Sequence, residues 1–249
     1  MVIGFSKFTG ERLLYSLIIA NVAASGIAAG IDLLGNGHAV QALSLPSAPA
    51  QLLHRPWSIV TYMFVQGGVM HLLFNMLWLY CFGRILLNVR AASLLPAVYL
   101  GGGVCGALCF LALYAALPSL GTATLLGSSA AVIAVAVAVA FEVPEMRLNV
   151  WPLGLVRVKW IVLAMVALFC VGLTGSMAGN AAHFGGAVFG AAVGARRYYS
   201  VASVRRSQSR GQMRQELDVL LDKVKVSGYE ALSARDKRRL FELSHKLRH

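Results

Sequence analysis

Four polar residues in this sequence could together carry out acyl transfer. Ser129 and His183 each lie near the start of an apolar segment, and histidine is the usual base that activates a serine hydroxyl. His71 and Asn75 are four residues apart, so on a helix they share one face and could donate hydrogen bonds to an oxyanion. The backbone N–H of Ser129 could supply a third donor. The sequence therefore predicts a nucleophile, a base and an oxyanion site.

No carboxylate is placed to orient the histidine, as a third catalytic group normally would. Asp32 ends the first apolar segment, and Glu142 lies at the far end of the segment that Ser129 opens. We therefore predict a Ser129–His183 dyad. Ser128 remains an alternative nucleophile on sequence grounds, and each candidate taken alone is also typical of helix capping or interhelical hydrogen bonding.

The composition indicates a helical membrane protein with several spans. The 249 residues are 58% hydrophobic and 13% charged, whereas about 25% is usual in soluble domains. Because a span needs about 20 apolar residues, we predict six spans, at 13–33, 69–88, 94–117, 126–142, 158–176 and 180–199. The alternating Val/Ala run at 132–140 is assigned to helix, since an open strand edge in lipid would leave backbone groups unsatisfied.

The four cysteines all lie inside these apolar stretches, without the spacing of a metal site or of paired loops. We interpret them as small packing residues. We predict neither a metal ion nor another cofactor.

The positive charges predict the orientation of the spans. With six spans both termini share one side, and the opposite side has Arg55 alone. The charges on the shared side, besides the tail, are Lys7, Arg12, Arg84, Arg90, Arg147, Arg157 and Lys159. By the positive-inside rule both termini are cytoplasmic. The second, fourth and sixth spans then enter from the outer side, which places the four candidate residues about 5–10 Å below the outer interface.

Small residues predict which spans touch. Gly186, Gly190 and Gly194 recur every four residues on nearly the same face of the sixth span as His183. Small residues at this spacing let two helix backbones approach closely. The facing small residues of the fourth span are Ala130, Ala134 and Ala138. We assign Gly127, Gly186 and Gly190 to helix packing at the site.

The composition changes after residue 195. Fourteen of the 22 Lys and Arg residues and 6 of the 10 Asp and Glu residues follow it, so the tail carries +8 of the net charge of +12. We predict a six-helix membrane domain at 1–199, followed at 200–249 by a basic cytoplasmic linker and a helical hairpin. Gly228 would break the hairpin, and Ser233 would cap its second helix. Anionic lipids or an unidentified cytoplasmic partner are the expected partners of this tail, not nucleic acid.

Three motifs in this order resemble those of the rhomboid intramembrane serine proteases, over roughly residues 55–195. Gly127-Ser128-Ser129 resembles the Gly-x-Ser motif, 182–186 (Ala-His-Phe-Gly-Gly) the histidine motif, and 71–75 (His-Leu-Leu-Phe-Asn) the His-x-x-x-Asn motif. The resemblance implies an all-α six-helix bundle, of the bacterial type, in an inner membrane. It also implies a cavity that opens outward and substrates that are transmembrane segments cut near their outer end.

The resemblance implies that Ser129 is the nucleophile, His183 the base, and His71 with Asn75 the oxyanion-binding pair. The sequence departs from the family at four positions. Ala130 stands where the family usually has glycine. Ile133 stands where the family often has an aromatic residue that stacks on the histidine. Gln66 stands for a frequent histidine, and Ser58 for the arginine of a Trp-Arg pair. A methyl group at Ala130 is expected to crowd the oxyanion site.

Two other functions fit parts of the sequence. A non-catalytic rhomboid-like protein would bind transmembrane helices without cutting them, and the departures at Ala130 and Ile133 favour it. The intact Ser129 and His183 favour the protease. A transporter or channel would need polar groups at mid-membrane or broken helices, whereas the inner halves of these spans are almost uniformly apolar.

Overall fold

A computed structural model describes residues 2–35, 38–170 and 176–248 of the chain. The chain divides into two compact units, Met1–Ala195 and Arg196–His249. This division is based on which residues contact one another. It does not test the predicted domain assignment, with its boundary after residue 199, which stays a prediction.

Helices dominate the described residues. They are α1 Val2–Leu34, α2 Ala39–Leu43, α3 Pro49–His54, α4 Ser58–Thr61, α5 Val69–Val89, α6 Leu94–Ala116, α7 Ser129–Glu142, α8 Val158–Cys170, α9 Met177–Ser227 and α10 Ala234–Arg248. The strands are β1 Leu45–Pro46, β2 Thr124–Leu125, β3 Arg147–Val150 and β4 Gly154–Arg157. They form two antiparallel pairs, β1 with β2 and β3 with β4.

Three helices among the described residues are long and apolar enough to cross a membrane, namely Gly10–Leu34, Val69–Val89 and Leu94–Ala116. Two shorter apolar helices are α7 and α8. The apolar start of α9 contains the predicted sixth span. A helical membrane bundle is thus confirmed, while the count of six spans stays a prediction. Part of the predicted fifth span, residues 171–175, lies outside the described residues.

The predicted fourth span begins later than expected, at Ser129 instead of residue 126. Thr124 and Leu125 pair with the short strand β1. Gly127 has a φ of 116°, a conformation outside any helix. These two features delay the helix, so that Ser129 becomes its first residue.

Helix α7 lies at the centre of the first unit. Every residue from Ala130 to Val139 is at most 8% exposed. Helices α5, α6 and α8 contact it, and α9 lies against its backbone. A helix enclosed by protein need not itself cover the full hydrocarbon thickness, which accounts for its 14 residues. The Val/Ala run is helical, as predicted.

Glycines bring two helices against α7. A Cβ on Gly186 would lie 2.1 Å from the Ala130 carbonyl oxygen, and one on Gly190 would lie 2.4 Å from that of Ala134. The third pairing differs from the expected Ala138, because a Cβ on Gly194 would meet Phe141 at 2.5 Å. Glycines of α6 also let that helix approach α7 closely, which the sequence analysis did not predict: a Cβ on Gly102 would lie 2.2 Å from the Ala134 Cβ, and one on Gly106 would lie 2.7 Å from the Ala130 Cβ.

The second unit contains a helical hairpin formed by the end of α9 and α10. Leu220, Leu232 and Leu243 are its buried side chains. Arg239 donates two hydrogen bonds to Glu216, at 2.7 and 2.8 Å, and these lower the pKa of the Glu216 carboxyl.

The predicted ends of the two hairpin helices are confirmed. Gly228 has a φ of 81° after the last residue of α9. The Ser233 hydroxyl accepts the N–H of Asp236 at 3.1 Å. Residues 200–214, predicted as a linker, are helical within α9. Their Arg, Ser and Gln residues are compatible with helix, and Gly211 is the one strong helix breaker among them.

Candidate active site

Ser129 and His183 form a hydrogen bond in the structure. The Ser129 Oγ lies 2.8 Å from the His183 Nε2, and the imidazole is 8% exposed. Ser129 begins α7, and Gly186, one turn beyond His183, lets α9 approach closely enough for the contact. His183 lies in the second turn of α9 rather than the first, because Ser176 caps this helix by accepting the Gly179 N–H at 3.2 Å.

The second ring nitrogen of His183 fixes the tautomer. Nδ1 lies 3.0 Å from the backbone carbonyl oxygen of Phe169 in α8. A carbonyl oxygen can only accept, so Nδ1 carries the proton in this contact. The Nε2 of a neutral imidazole then has its lone pair free to accept the proton of the Ser129 hydroxyl. The arrangement is that of a general base next to a nucleophile.

His71 and Asn75 line the same cavity as Ser129 and His183. Asn75 is 6% exposed and His71 is exposed. The cavity has a volume of about 530 Å³ and lies between α5, β2, α7, α8 and α9. All four residues predicted for the site are therefore brought together, with both side-chain donors on one turn of α5.

Gly127 has a different place from the one predicted. It lies in the loop ahead of α7, where a Cβ would lie 2.7 Å from the His71 Cε1. Its N–H donates to the Tyr62 carbonyl oxygen at 2.9 Å. Gly127 thus makes room for the His71 ring and shapes the loop, whereas Gly186 and Gly190 lie between helices as predicted.

Ser128 is enclosed by protein. It is 0% exposed, its hydroxyl accepts a hydrogen bond from Gln66 at 3.0 Å, and it does not belong to the cavity lining. Of the two adjacent serines, Ser129 is the one whose hydroxyl contacts a histidine.

Comparison with known protein families matches residues 53–200, more than half of the chain, to the rhomboid domain. The chain belongs to the rhomboid family. A second match relates residues 205–246 to a family of unknown function, DUF6576. The search of curated proteins found no match to this chain.

This rhomboid is a helical integral membrane protein from a family of intramembrane proteases and pseudoproteases. The resemblance drawn from the sequence is confirmed. The matched segment runs from the end of α3 into α9, and α1 precedes it.

Contrary to the expectation from the sequence, the methyl group of Ala130 does not narrow the cavity. Ala130 is 1% exposed and is not among the residues that line the cavity. Its Cβ lies 2.7 Å from the position that a Cβ on Gly106 would take, so it faces α6. The departure from the family's usual glycine is accommodated between α6 and α7.

The aromatic contact to the histidine comes from a different helix than in the motif. Ile133 lines the cavity, and the Phe169 ring and the His183 imidazole form a T-shaped pair with centroids 5.4 Å apart. Sequence reasoning missed Phe169, because a phenylalanine inside an apolar span carries no distinguishing pattern. Its carbonyl, a backbone group, has no sequence signal at all.

The carboxylates near these spans are engaged elsewhere. Asp32 accepts the backbone N–H groups of Ala39 and Val40, at 2.5 and 3.1 Å. Glu142 pairs with Arg90. Among the described residues that line the cavity none has a carboxylate, so the Phe169 carbonyl takes the place that an acidic residue holds in a triad.

Proposed function

We propose that this rhomboid is an intramembrane serine endopeptidase whose catalytic dyad is Ser129 and His183. The 2.8 Å contact between Oγ and Nε2 carries the proposal. The Phe169 carbonyl supports it, because it holds the proton on Nδ1 and leaves Nε2 as the base. The apolar cavity around the dyad is suited to an unwound piece of a transmembrane segment.

The reaction begins when Nε2 of His183 takes the hydroxyl proton as Ser129 Oγ bonds to the carbonyl carbon of the substrate peptide. The carbonyl oxygen becomes an oxyanion, which accepts hydrogen bonds from the backbone N–H of Ser129 and the side chains of His71 and Asn75. Collapse of this intermediate breaks the C–N bond, and His183 gives its proton to the leaving nitrogen. Water then attacks the acyl-enzyme with His183 again as base.

The proposed topology has six spans with both termini in the cytoplasm of a bacterium. The distribution of Lys and Arg supports this orientation. The residues at the site lie within the first two turns of α5, α7 and α9, so the cavity would open toward the outer side. Substrates would be transmembrane segments cut near their outer end, and the basic tail would lie near anionic headgroups.

Cleavage of a single-span substrate in reconstituted liposomes tests this function. We expect the wild type to cut the substrate and Ser129→Ala to be inactive. Ser93→Ala, which removes a hydroxyl from an exposed helix cap, should cut at the wild-type rate. A wild type that captures the substrate without cutting it would support the non-catalytic alternative, and cleavage by Ser129→Ala would contradict the dyad.

A further inference from the structure

Gln66 lies next to the candidate site, and both the oxygen and the nitrogen of its side-chain amide form hydrogen bonds. It is 8% exposed and does not line the cavity itself. We propose that Gln66 is a positioning residue, which holds the Asn75 amide and the backbone before Ser129 in place for the oxyanion. This inference rests on the proposed protease function.

The hydrogen bonds of Gln66 connect two parts of the site. Its Oε1 accepts from the Asn75 Nδ2 at 3.0 Å and from the Ser128 backbone N–H at 3.3 Å. Its Nε2 donates to the Ser128 hydroxyl at 3.0 Å and to the Asn21 Oδ1 at 3.2 Å. The Gln66 side chain thus forms hydrogen bonds both to Asn75, the proposed donor in α5, and to Ser128, the residue that precedes the nucleophile.

These partners determine which way each amide faces. The Ser128 backbone N–H can only donate, so the oxygen of Gln66 must face it. Asn75 must then present its NH₂ group, since the opposite orientation would place two oxygens against each other. One proton of that NH₂ group is given to Gln66, and the second is available for an oxyanion.

Asn21 in α1 holds Gln66 from the other side. It is 0% exposed, and its Nδ2 donates to the Leu17 carbonyl oxygen and to the Tyr99 hydroxyl, both at 2.8 Å. The Oδ1 is thereby left to accept from Gln66. Helix α1 precedes the matched rhomboid domain, so a helix outside that match contributes to the order of the site.

Such placement matters because an oxyanion donor works only within a narrow distance range, about 2.7–3.1 Å. Loss of one such donor lowers kcat by about 10²–10³-fold. If Gln66 acts through Asn75, removing Gln66 should reproduce part of that loss, and the two losses should not multiply. A purely structural role would lower stability and leave the two effects independent.

A double-mutant cycle on the full chain in liposomes tests the proposal. We expect Gln66→Met to lower kcat about 10–100-fold with little change in KM, and Asn75→Ala to have a smaller effect in that background than in the wild type. Gln66→Glu keeps an acceptor oxygen for Asn75 and should retain more activity than Gln66→Met. Gln51→Met makes the same change at an exposed position and should leave kcat unchanged.

The rates are normalised to the fraction of protein that a fluorophosphonate finally labels at Ser129, which removes misfolded protein from the comparison. An unchanged kcat in Gln66→Met, or an equal effect of Asn75→Ala in both backgrounds, would overturn the role of Gln66 while leaving the protease function intact. An inactive wild type would instead contradict the protease function, and with it the role of Gln66.

Discussion

The Nδ1 of His183 lies 3.0 Å from the backbone carbonyl oxygen of Phe169. Here a backbone carbonyl oxygen fixes the tautomer and the orientation of the imidazole, a role that a carboxylate has in a Ser-His-Asp triad. Because the partner is uncharged, the apolar surroundings need not accommodate a second ionised group, which would be costly inside a membrane protein. The contact also makes the orientation of the His183 imidazole depend on the position of α8 relative to α9.

The Phe169 side chain gives the first prediction. Phe169→Leu keeps the carbonyl but removes the aromatic ring that packs against the imidazole. Aromatic contacts of this kind contribute about 0.5–1.5 kcal/mol, so we expect kcat to fall by up to about tenfold. Initial rates of substrate cleavage in liposomes measure this.

Phe184→Leu is the matched control, since Phe184 follows His183 directly but is 59% exposed. Its cleavage rate should stay near that of the wild type. Equal rates for Phe169→Leu and the wild type would show that the ring does not help to hold the base.

Gly127 gives the second prediction. Gly127→Ala places a Cβ 2.7 Å from the His71 Cε1 at a φ of 116°, so the ring must move. We expect cleavage to fall at least tenfold, because one oxyanion donor is displaced. Gly121→Ala carries similar backbone strain, at a φ of 74°, but meets nothing within 4 Å. It should lower stability by about 1–3 kcal/mol and leave cleavage unchanged, whereas equal losses in both variants would contradict the role of His71.

Close helix packing gives the third prediction. Gly190→Ala introduces a Cβ 2.4 Å from the Ala134 carbonyl oxygen, which must push α9 away from α7. Overpacking of this kind typically destabilises by about 1–3 kcal/mol, and it should also separate His183 from Ser129. We expect a lower thermal midpoint together with slower cleavage.

The same substitution in α1 is the control. Gly26→Ala meets nothing within 4 Å and should be neutral or stabilise by about 0.5–1 kcal/mol, as alanine does in a helix. If Gly190→Ala behaved like Gly26→Ala, the close approach of α9 and α7 would be wrong.

The tail hairpin gives the fourth prediction. Leu243 is 0% exposed, and Leu→Ala at a buried position typically destabilises by about 2–5 kcal/mol. We expect Leu243→Ala to abolish hydrogen-exchange protection in α10. Phe241→Ala removes a larger side chain from the same helix, but that ring is 73% exposed, and protection should persist. Loss of protection in both variants would mean that Leu243 does not hold the hairpin.

Much of the site could be predicted from the sequence because its residues lie on helices with clear periodicity. The four-residue spacing of His71 and Asn75, and the glycines that follow His183, fix which faces meet. The lengths of the apolar segments then set the depth of these residues in the membrane. These features of the sequence predict that Ser129 and His183 meet.

The remaining parts depend on groups that have no sequence pattern. The carbonyl of Phe169 belongs to the backbone, and the network of Gln66, Asn21 and Tyr99 joins residues up to 78 positions apart. The loop that delays α7 depends on a pairing between β1 and β2, two strands of two residues each. Such contacts are set by tertiary packing, which local propensity does not contain.

The central claim is that Ser129 is an activated nucleophile. Labelling of the detergent-solubilised protein with a fluorophosphonate, followed by mapping of the modified peptide, tests it most directly. We predict a single label on Ser129 that is lost in Ser129→Ala and strongly slowed in His183→Ala. Absence of labelling in the wild type, or labelling that survives Ser129→Ala, would contradict it.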